Sequence, residues 1–212
     1  MSTNPQYSAV ASQSLWPTTV YTLDLKDTES LAQYREQILT LETQEGRQGA
    51  NGIWTSPDDL DLRPEYQGLR DCILASVELT VQDRSIDYLG LRMNCMWANI
   101  NRSYGTHQQH THPNSMWSAV LYLNVDDKDP GLLYFKDPRP QANNIVYDYV
   151  QGSEQSDHWS IEPKLGRMVV FPSWLEHGTH ASSSPEPRIC VSANIMLECT
   201  MRRHNTIRAE FR

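Results

Sequence analysis

The sequence predicts a mainly β protein with N-terminal helices, an α+β chain whose strands form a double-sheet jelly roll of the cupin-like kind. Three observations carry this. Two amphipathic helical stretches come first, the hydrophobic period changes from 3.6 to 2 at Leu89, and six or more short strands divided by turn residues follow. At 212 residues, 39% of them hydrophobic and with six Trp and ten Tyr, the chain can fill one sizeable core as a single domain over 1–212. Within it, about 1–13 reads as mobile, 14–85 as helical support and 86–200 as the jelly roll.

Leu15-Trp16-Pro17 and Val20-Tyr21-Thr22-Leu23 give a short first strand. Thr28 suits a helix N-cap, with Glu29 in the first turn and Leu31, Tyr34, Ile38 and Leu41 on one face. The Gly46 and Gly49 stretch from Gln44 to Asn51 reads as a loop. Pro64 fits the first turn of a second helix, which carries Leu69, Cys72, Ile73, Ser76 and Val77 and runs to about Gln82. Beyond Leu89, strict alternation puts Leu91, Met93, Cys95 and Trp97 on one face and Arg92, Asn94, Met96 and Ala98 on the other. Met116 to Val125 is a strong strand, Asp126 to Gly131 a turn, and Leu132 to Phe135 a further strand. The polar stretch from Asp137 to Gln155 is long enough to act as a lid, and Ile145 to Val150 within it could form a short strand or lid edge. Met168 to Phe171 and Arg188 to Leu197 complete the strand set.

Charge and composition narrow the function. A net charge of −8 with 21% charged residues fits a soluble protein and argues against a nucleic-acid scaffold. The basic cluster Arg202-Arg203-His204, with Arg208 and Arg212, reads as a solvated helix or tail. Four cysteines (Cys72, Cys95, Cys190 and Cys199) show no C-x-x-C pairing and read as free thiols in a reducing cytoplasm. No signal peptide is visible, and no run approaches the ~18 apolar residues of a membrane span. Exposed strand edges suit a homodimer.

Chemistry concentrates in the histidines. Of seven, three lie in His107-Gln108-Gln109-His110-Thr111-His112 and two in His177-Gly178-Thr179-His180. On an extended segment H-x-H turns residues i and i+2 to one face, so both imidazoles can reach one ion. A third ligand then comes from far along the chain, and Arg188 follows it by eleven positions. Paired ligands, a long gap, a lone His and a basic residue form the order a jelly-roll iron oxygenase needs, with His110, His112 and His177 as metal ligands. His107 and His180 compete for the same role. Oxygenases of this kind commonly hold Fe(II) with two His and one carboxylate; here the carboxylate slot is His112, and the site carries one negative charge fewer. Arg188 can clamp the far carboxylate of a chelating dicarboxylate through two parallel donors, and Tyr122 can add a phenol hydrogen bond there. Trp97, Asn99 and Asn101 lead into the ligand segment and fall on the substrate side, as does Arg139 from the lid. Trp117 and Trp174 read as core.

At these residues the chain resembles the 2-oxoglutarate/Fe(II)-dependent dioxygenases, prolyl hydroxylases included. The strand Leu121-Tyr122-Leu123-Asn124 after the ligand pair and the run Glu162 to Phe171 before the distal His carry that likeness. More narrowly it resembles a bacterial and phage branch of these oxygenases, through Met96 to Asn101, His110 to Ser115, Phe135 to Arg139, Phe171 to His177 and Pro64 to Asp71. The resemblance implies a double-stranded β-helix, Fe(II) at His110, His112 and His177, and 2-oxoglutarate held by Arg188. It also implies hydroxylation of a small-molecule or peptide substrate with O₂. His112 and Cys190 depart from the wider superfamily, which usually carries Asp or Glu at the first place and in some members Ser at the second. The residues alone also fit a three-His cupin-type dioxygenase needing no oxo acid, a zinc hydratase or hydrolase, or a jelly-roll binding module without catalysis.

Overall fold

A computed structural model describes residues 13–14, 16–139 and 158–198. Residues 1–12, Leu15, the strand or lid edge at Ile145 to Val150, most of the expected lid, Cys199 and the Arg202 to Arg212 cluster lie outside the described residues.

Among the described residues, two α-helices and ten strands follow in order: β1 (Tyr21–Asp24), α1 (Glu29–Glu42), β2 (Arg47–Gln48), β3 (Ile53–Thr55), α2 (Gln67–Asp83), β4 (Gly90–Asn101), β5 (Trp117–Asn124), β6 (Leu133–Lys136), β7 (His158–Ile161), β8 (Arg167–Pro172), β9 (His177–Thr179) and β10 (Arg188–Glu198). Seven strands form an antiparallel sheet in the order β1-β8-β5-β10-β4-β3-β2, and three form a second sheet, β7-β6-β9. Strands distant in sequence lie side by side in both sheets, which is the jelly-roll pattern expected from the sequence.

The larger sheet is covered on both faces. On one, Leu31, Ile38 and Leu41 of α1 and Leu69, Ile73, Val77 and Val81 of α2 share a core with Ala119, Leu121 and Leu123 of β5 and Ile189, Val191, Ala193 and Ile195 of β10. Each of the Leu, Ile and Val side chains contributes about 1.5–3 kcal/mol by leaving water. This apolar layer therefore supplies most of the rigidity and lets the opposite face afford polar residues. There Val120, Tyr122, Val169, Phe171 and Cys190 meet Leu133 and Phe135 of the smaller sheet.

The structure departs from the sequence expectations at several points. Thr28 is the N-cap residue of α1 but makes no side-chain capping bond. Asp27 does that work, its Oδ1 accepting from the Glu29 amide at 2.9 Å, while the Thr28 methyl packs toward Gly166. The loop at 44–51 contains β2. Pro64 opens a separate 3₁₀ turn (Pro64–Tyr66), and α2 proper starts at Gln67. Trp174 is exposed, whereas Trp117 is buried beside Tyr21.

The most consequential departure lies in β4. Asn194 of β10 pairs with Cys95 and Ile195 with Met93, so Asn94 is an extra residue, a β-bulge. It turns outward, its amide donating to the Asn114 carbonyl (3.0 Å) and reaching Ser115 Oγ (3.1 Å). The alternation inverts across it. Leu91 and Met93 pack on the helix-side core, but so do Met96, Ala98 and Ile100. Cys95 and Trp97 therefore do not share a face with Leu91 and Met93, and Trp97, Asn99 and Asn101 turn toward the interior between the sheets. No described helix is long and apolar enough to cross a membrane.

Candidate metal centre

The segment 107–112 runs alongside β9 and the turn before it. His107 and Thr179 are joined by two hydrogen bonds, Thr179 N to His107 O (3.1 Å) and His107 N to Thr179 Oγ1 (2.9 Å). His110 and His177 exchange backbone bonds, and His112 N donates to Ser173 O at 2.9 Å. With the chain extended, Thr111 is exposed while His110 and His112 turn to the same side.

The rings of His110, His112 and His177 converge there, one nitrogen of each lying within 4.8 Å of the other two. Ring centroids are 4.3 Å apart for His110 and His177, and 5.0 Å for each of the other pairs. Backbone carbonyls hold two of the rings: Nδ1 of His110 donates to Gln108 O (2.7 Å) and Nδ1 of His177 to Leu175 O (2.8 Å). Carbonyls only accept, so both rings carry their proton on Nδ1 and present Nε2 to the shared point. His112 touches Asn194 through Nδ1 at 3.3 Å.

Burial keeps the imidazoles of His112 and His177 neutral. Desolvation, reinforced by the neighbouring histidines, pushes His177 down to about 3 and His112 to about 4; the Leu175 carbonyl opposes the shift at His177. At neutral pH both rings offer lone pairs. His107 is also depressed, to about 4, by burial first and then by His110 and Arg188. Its ring lies 6.2 Å from that of His110, and it is outside the converging trio. His180 stands on the other side of β9, exposed, its ring 4.8 Å from that of Tyr134. Strand alternation separates it from His177.

The trio lies in the wall of a cavity whose floor is every second residue of three central strands: Trp97, Asn99 and Asn101 of β4; Ser118, Val120 and Tyr122 of β5; Arg188, Cys190, Ser192 and Asn194 of β10. Asn194 sits beside His112, and Arg188 ends the same row at its far end, buried and paired in register with Asn101. Arg188 Nη1 donates to the carbonyls of Pro130 (3.1 Å) and Gly131. Asn101 is buried with both side-chain polar atoms unpartnered, whereas Asn99 accepts from Thr55 Oγ1 at 3.0 Å. Tyr122 is buried next to Cys190, and both are raised above their ordinary values by desolvation. The described residues lining the cavity include a cation and no carboxylate.

Arg139 is not among the cavity residues; its guanidinium is exposed and bound to Asp137 at 2.6 Å. The sequence reading missed Ser118, Ser173 and Asn194. Their signal was present in β10, where Ile189, Val191, Ala193 and Ile195 alternate with Arg188, Cys190, Ser192 and Asn194: a polar face on a strand too apolar to be at the surface.

Three converging imidazoles suit a borderline first-row divalent ion such as iron. The orphaned Asn101 amide beside buried Arg188 suits a carboxylate-bearing ligand. The residues fit both halves of an iron and oxo-acid pair.

Comparison with known proteins agrees. Residues 95–194 match the family model described as "Putative 2OG-Fe(II) oxygenase". No curated protein sequence matches the chain. Among solved structures, the chain is similar to the non-heme alpha ketoglutarate dependent epimerase SnoN from nogalamycin biosynthesis, with a TM-score of 0.63 and 15% identity over 84% of this chain and 78% of that one. It is similar to a prolyl-4-hydroxylase of Pseudomonas putida at 0.56 and 15%, covering 86% and 93%. HygX of Streptomyces hygroscopicus, solved with nickel and 2-oxoglutarate bound, gives 0.61 and 12%, covering 87% and 84%. At these identities the likeness establishes a shared double-stranded β-helix fold.

Proposed function

From the match of residues 95–194 to the 2OG-Fe(II) oxygenase family model, we propose that the protein is a 2-oxoglutarate-dependent hydroxylase whose iron is held by His110, His112 and His177. One observation carries the assignment: three imidazoles converge at one end of a cavity whose described lining holds no carboxylate and whose other end is closed by a buried arginine. Bound there, Fe(II) and 2-oxoglutarate would supply the electrons that activate O₂, the oxidant of the hydroxylation. The chain's own residues bind and orient. Arg188 offers paired donors to the distal carboxylate, and Asn101, its register neighbour, offers a further one. Trp97, a half-buried residue of the cavity lining with its ring 5.7 Å from that of His112, faces the substrate. Val120, Phe171 and Leu133 line the remaining wall and exclude water. The substrate is a small molecule or a peptide, the classes handled by SnoN, HygX and the prolyl hydroxylases. The free thiols of Cys72, Cys95 and Cys190 support a reducing cytoplasm as the compartment.

A rival reading draws on the third imidazole: a three-His dioxygenase that uses no oxo acid. Arg188 weighs against it: its Nη1 holds the Pro130 and Gly131 carbonyls, but its buried charge meets no carboxylate among the described residues of the cavity, which suits an anionic ligand. The experiment is thermal stabilisation by 2-oxoglutarate in the presence of Mn(II), with succinate release measured under Fe(II) and O₂. The proposal expects both responses, and expects Arg188→Ala to abolish them. Metal uptake without any response to 2-oxoglutarate, with Arg188→Ala as active as wild type, would establish the rival.

A further inference from the structure

We propose that Asn194 is a positioning residue that selects the tautomer of His112, and that its side-chain amide turns over when the site takes up a metal ion. This rests on the reading of His110, His112 and His177 as metal ligands and goes beyond it.

The argument follows the protons. His177 Nδ1 donates to Leu175 O, which leaves its Nε2 as a bare acceptor. His112 Nε2 lies 3.2 Å from that atom. Of two facing ring nitrogens one must donate, so neutral His112 carries its proton on Nε2. Its Nδ1 is then an acceptor, filled by Asn194 Nδ2 at 3.3 Å. Asn194 Oδ1 accepts from Ser118 Oγ at 2.9 Å, and Ser118 Oγ in turn takes the Ser173 hydroxyl proton at 2.9 Å. Donation runs in one direction from Ser173 through Ser118, Asn194 and His112 to His177. The circuit is closed by the backbone, because the His112 amide donates to Ser173 O. Ser173, Ser118 and Asn194 are 0%, 3% and 9% exposed, so water does not compete for these bonds.

A metal ion needs the Nε2 lone pairs of His112 and His177 together. His112 can give its own only if one proton leaves Nε2 and one arrives at Nδ1, exchanged through water, the ring staying neutral. That new Nδ1–H would face the Asn194 amide hydrogens, donor against donor. Turning the amide over removes the conflict. Oδ1 then accepts from His112 Nδ1, Nδ2 donates to Ser118 Oγ, and Ser118 donates to Ser173. The three bonds that link Ser173, Ser118, Asn194 and His112 Nδ1 survive with their direction reversed, the backbone bond stays as it is, the His112–His177 bond gives way to the ion, and the ring stays neutral. The amide nitrogen also lies 3.6 Å from Cys95 Sγ, a weak contact given up in the turn. The register shift at Asn194 explains how the side chain comes to lie beside both His112 and Ser118.

The test is ¹⁵N NMR of the histidine rings in metal-free and Zn(II)-loaded protein, with Co(II) titrations of two variants. His112 is expected as the Nε2–H form without metal and the Nδ1–H form with Zn(II). Asn194→Leu, which can neither accept nor donate, should weaken Co(II) binding about 10–100-fold, the range for loss of a ligand's orienting partner. Asn194→Asp accepts at both oxygens and needs no turn, so it should bind Co(II) at least as tightly as wild type. An Nδ1–H form already present without metal overturns the proposal, as does a folded Asn194→Leu protein with wild-type Co(II) affinity. Failure of the wild-type protein to take up Zn(II) or Co(II) is a separate result: it overturns the metal site itself.

Discussion

His110 and His177 hold each other through the backbone, His110 N donating to His177 O at 3.0 Å and His177 N to His110 O at 3.1 Å. The two bonds form an isolated antiparallel bridge that fixes the 110–112 segment to His177 without using either ring. The convergence of the three rings is therefore built into the backbone of the fold. His180, three residues on, has its own amide bonded to Leu132 O and its ring beside Tyr134. His177→Ala should abolish stoichiometric Fe(II) or Mn(II) uptake, and His180→Ala should leave it unchanged. Calorimetric titration checks both, and uptake lost only in His180→Ala would exchange the two assignments.

Much of this was legible from the residues. Two faces of helical spacing, the change of period at Leu89 and turn residues between apolar runs are local signals, and α1, α2, β5, β8 and β10 lie where they point. The elements that escaped are β2, β3, β7 and β9, each two to four residues long. A run that short has no measurable period; its conformation is imposed by the strand beside it. The same holds for the bulge at Asn94, which depends on Asn114 and Ser115, twenty residues away in the chain. In the site, H-x-H follows from strand geometry alone. The choice of His177 over His180 depends on which face of β9 looks inward, and only the pairing with β6 settles that.

Metal-free protein should lose stability as pH falls. His107, His112 and His177 bind protons in the folded state only near pH 4, 4 and 3, against an ordinary 6.5. Above about pH 6.5 both folded and unfolded chains hold these rings neutral, and the linkage is silent. Below it the unfolded chain takes up protons that the folded chain refuses, so stability falls steadily until about pH 3–4. Urea midpoints at pH 7.5, 6 and 5 measure this. His107→Gln should flatten the slope, and an unchanged slope would mean that His107 is not held neutral by burial.

Asn101 should be worth more to the ligand than to the fold. Each of its unpartnered buried polar atoms costs about 1–3 kcal/mol. Asn101→Leu keeps the shape and removes that cost, so the ligand-free protein should gain roughly 1 kcal/mol, a rise in Tm of about 2–4 °C for a chain of this size. The same change should weaken 2-oxoglutarate binding, a trade of stability against function. A lower Tm would show that the amide has partners in the folded protein after all.

Gly131 should control the co-substrate end without touching the metal end. Its φ is +62°, and a Cβ placed there would lie 2.7 Å from Arg188 Nη1 and 3.0 Å from the His180 carbonyl. Arg188 Nη1 also donates to the Pro130 and Gly131 carbonyls, so the guanidinium has no slack in that direction. Gly131→Ala must push the guanidinium aside and hold a left-handed backbone that costs an L-residue roughly 1–2 kcal/mol. Losing one charge-assisted hydrogen bond, about 1.5 kcal/mol, corresponds to roughly tenfold in affinity. The Kd for 2-oxoglutarate should therefore rise about tenfold while the Kd for Mn(II) stays as in wild type, because the histidines hang on β9 and on the 107–112 segment. Should both constants move together, the two ends of the cavity are mechanically coupled and Arg188 is holding the barrel shut. Should neither move, the anion is bound elsewhere.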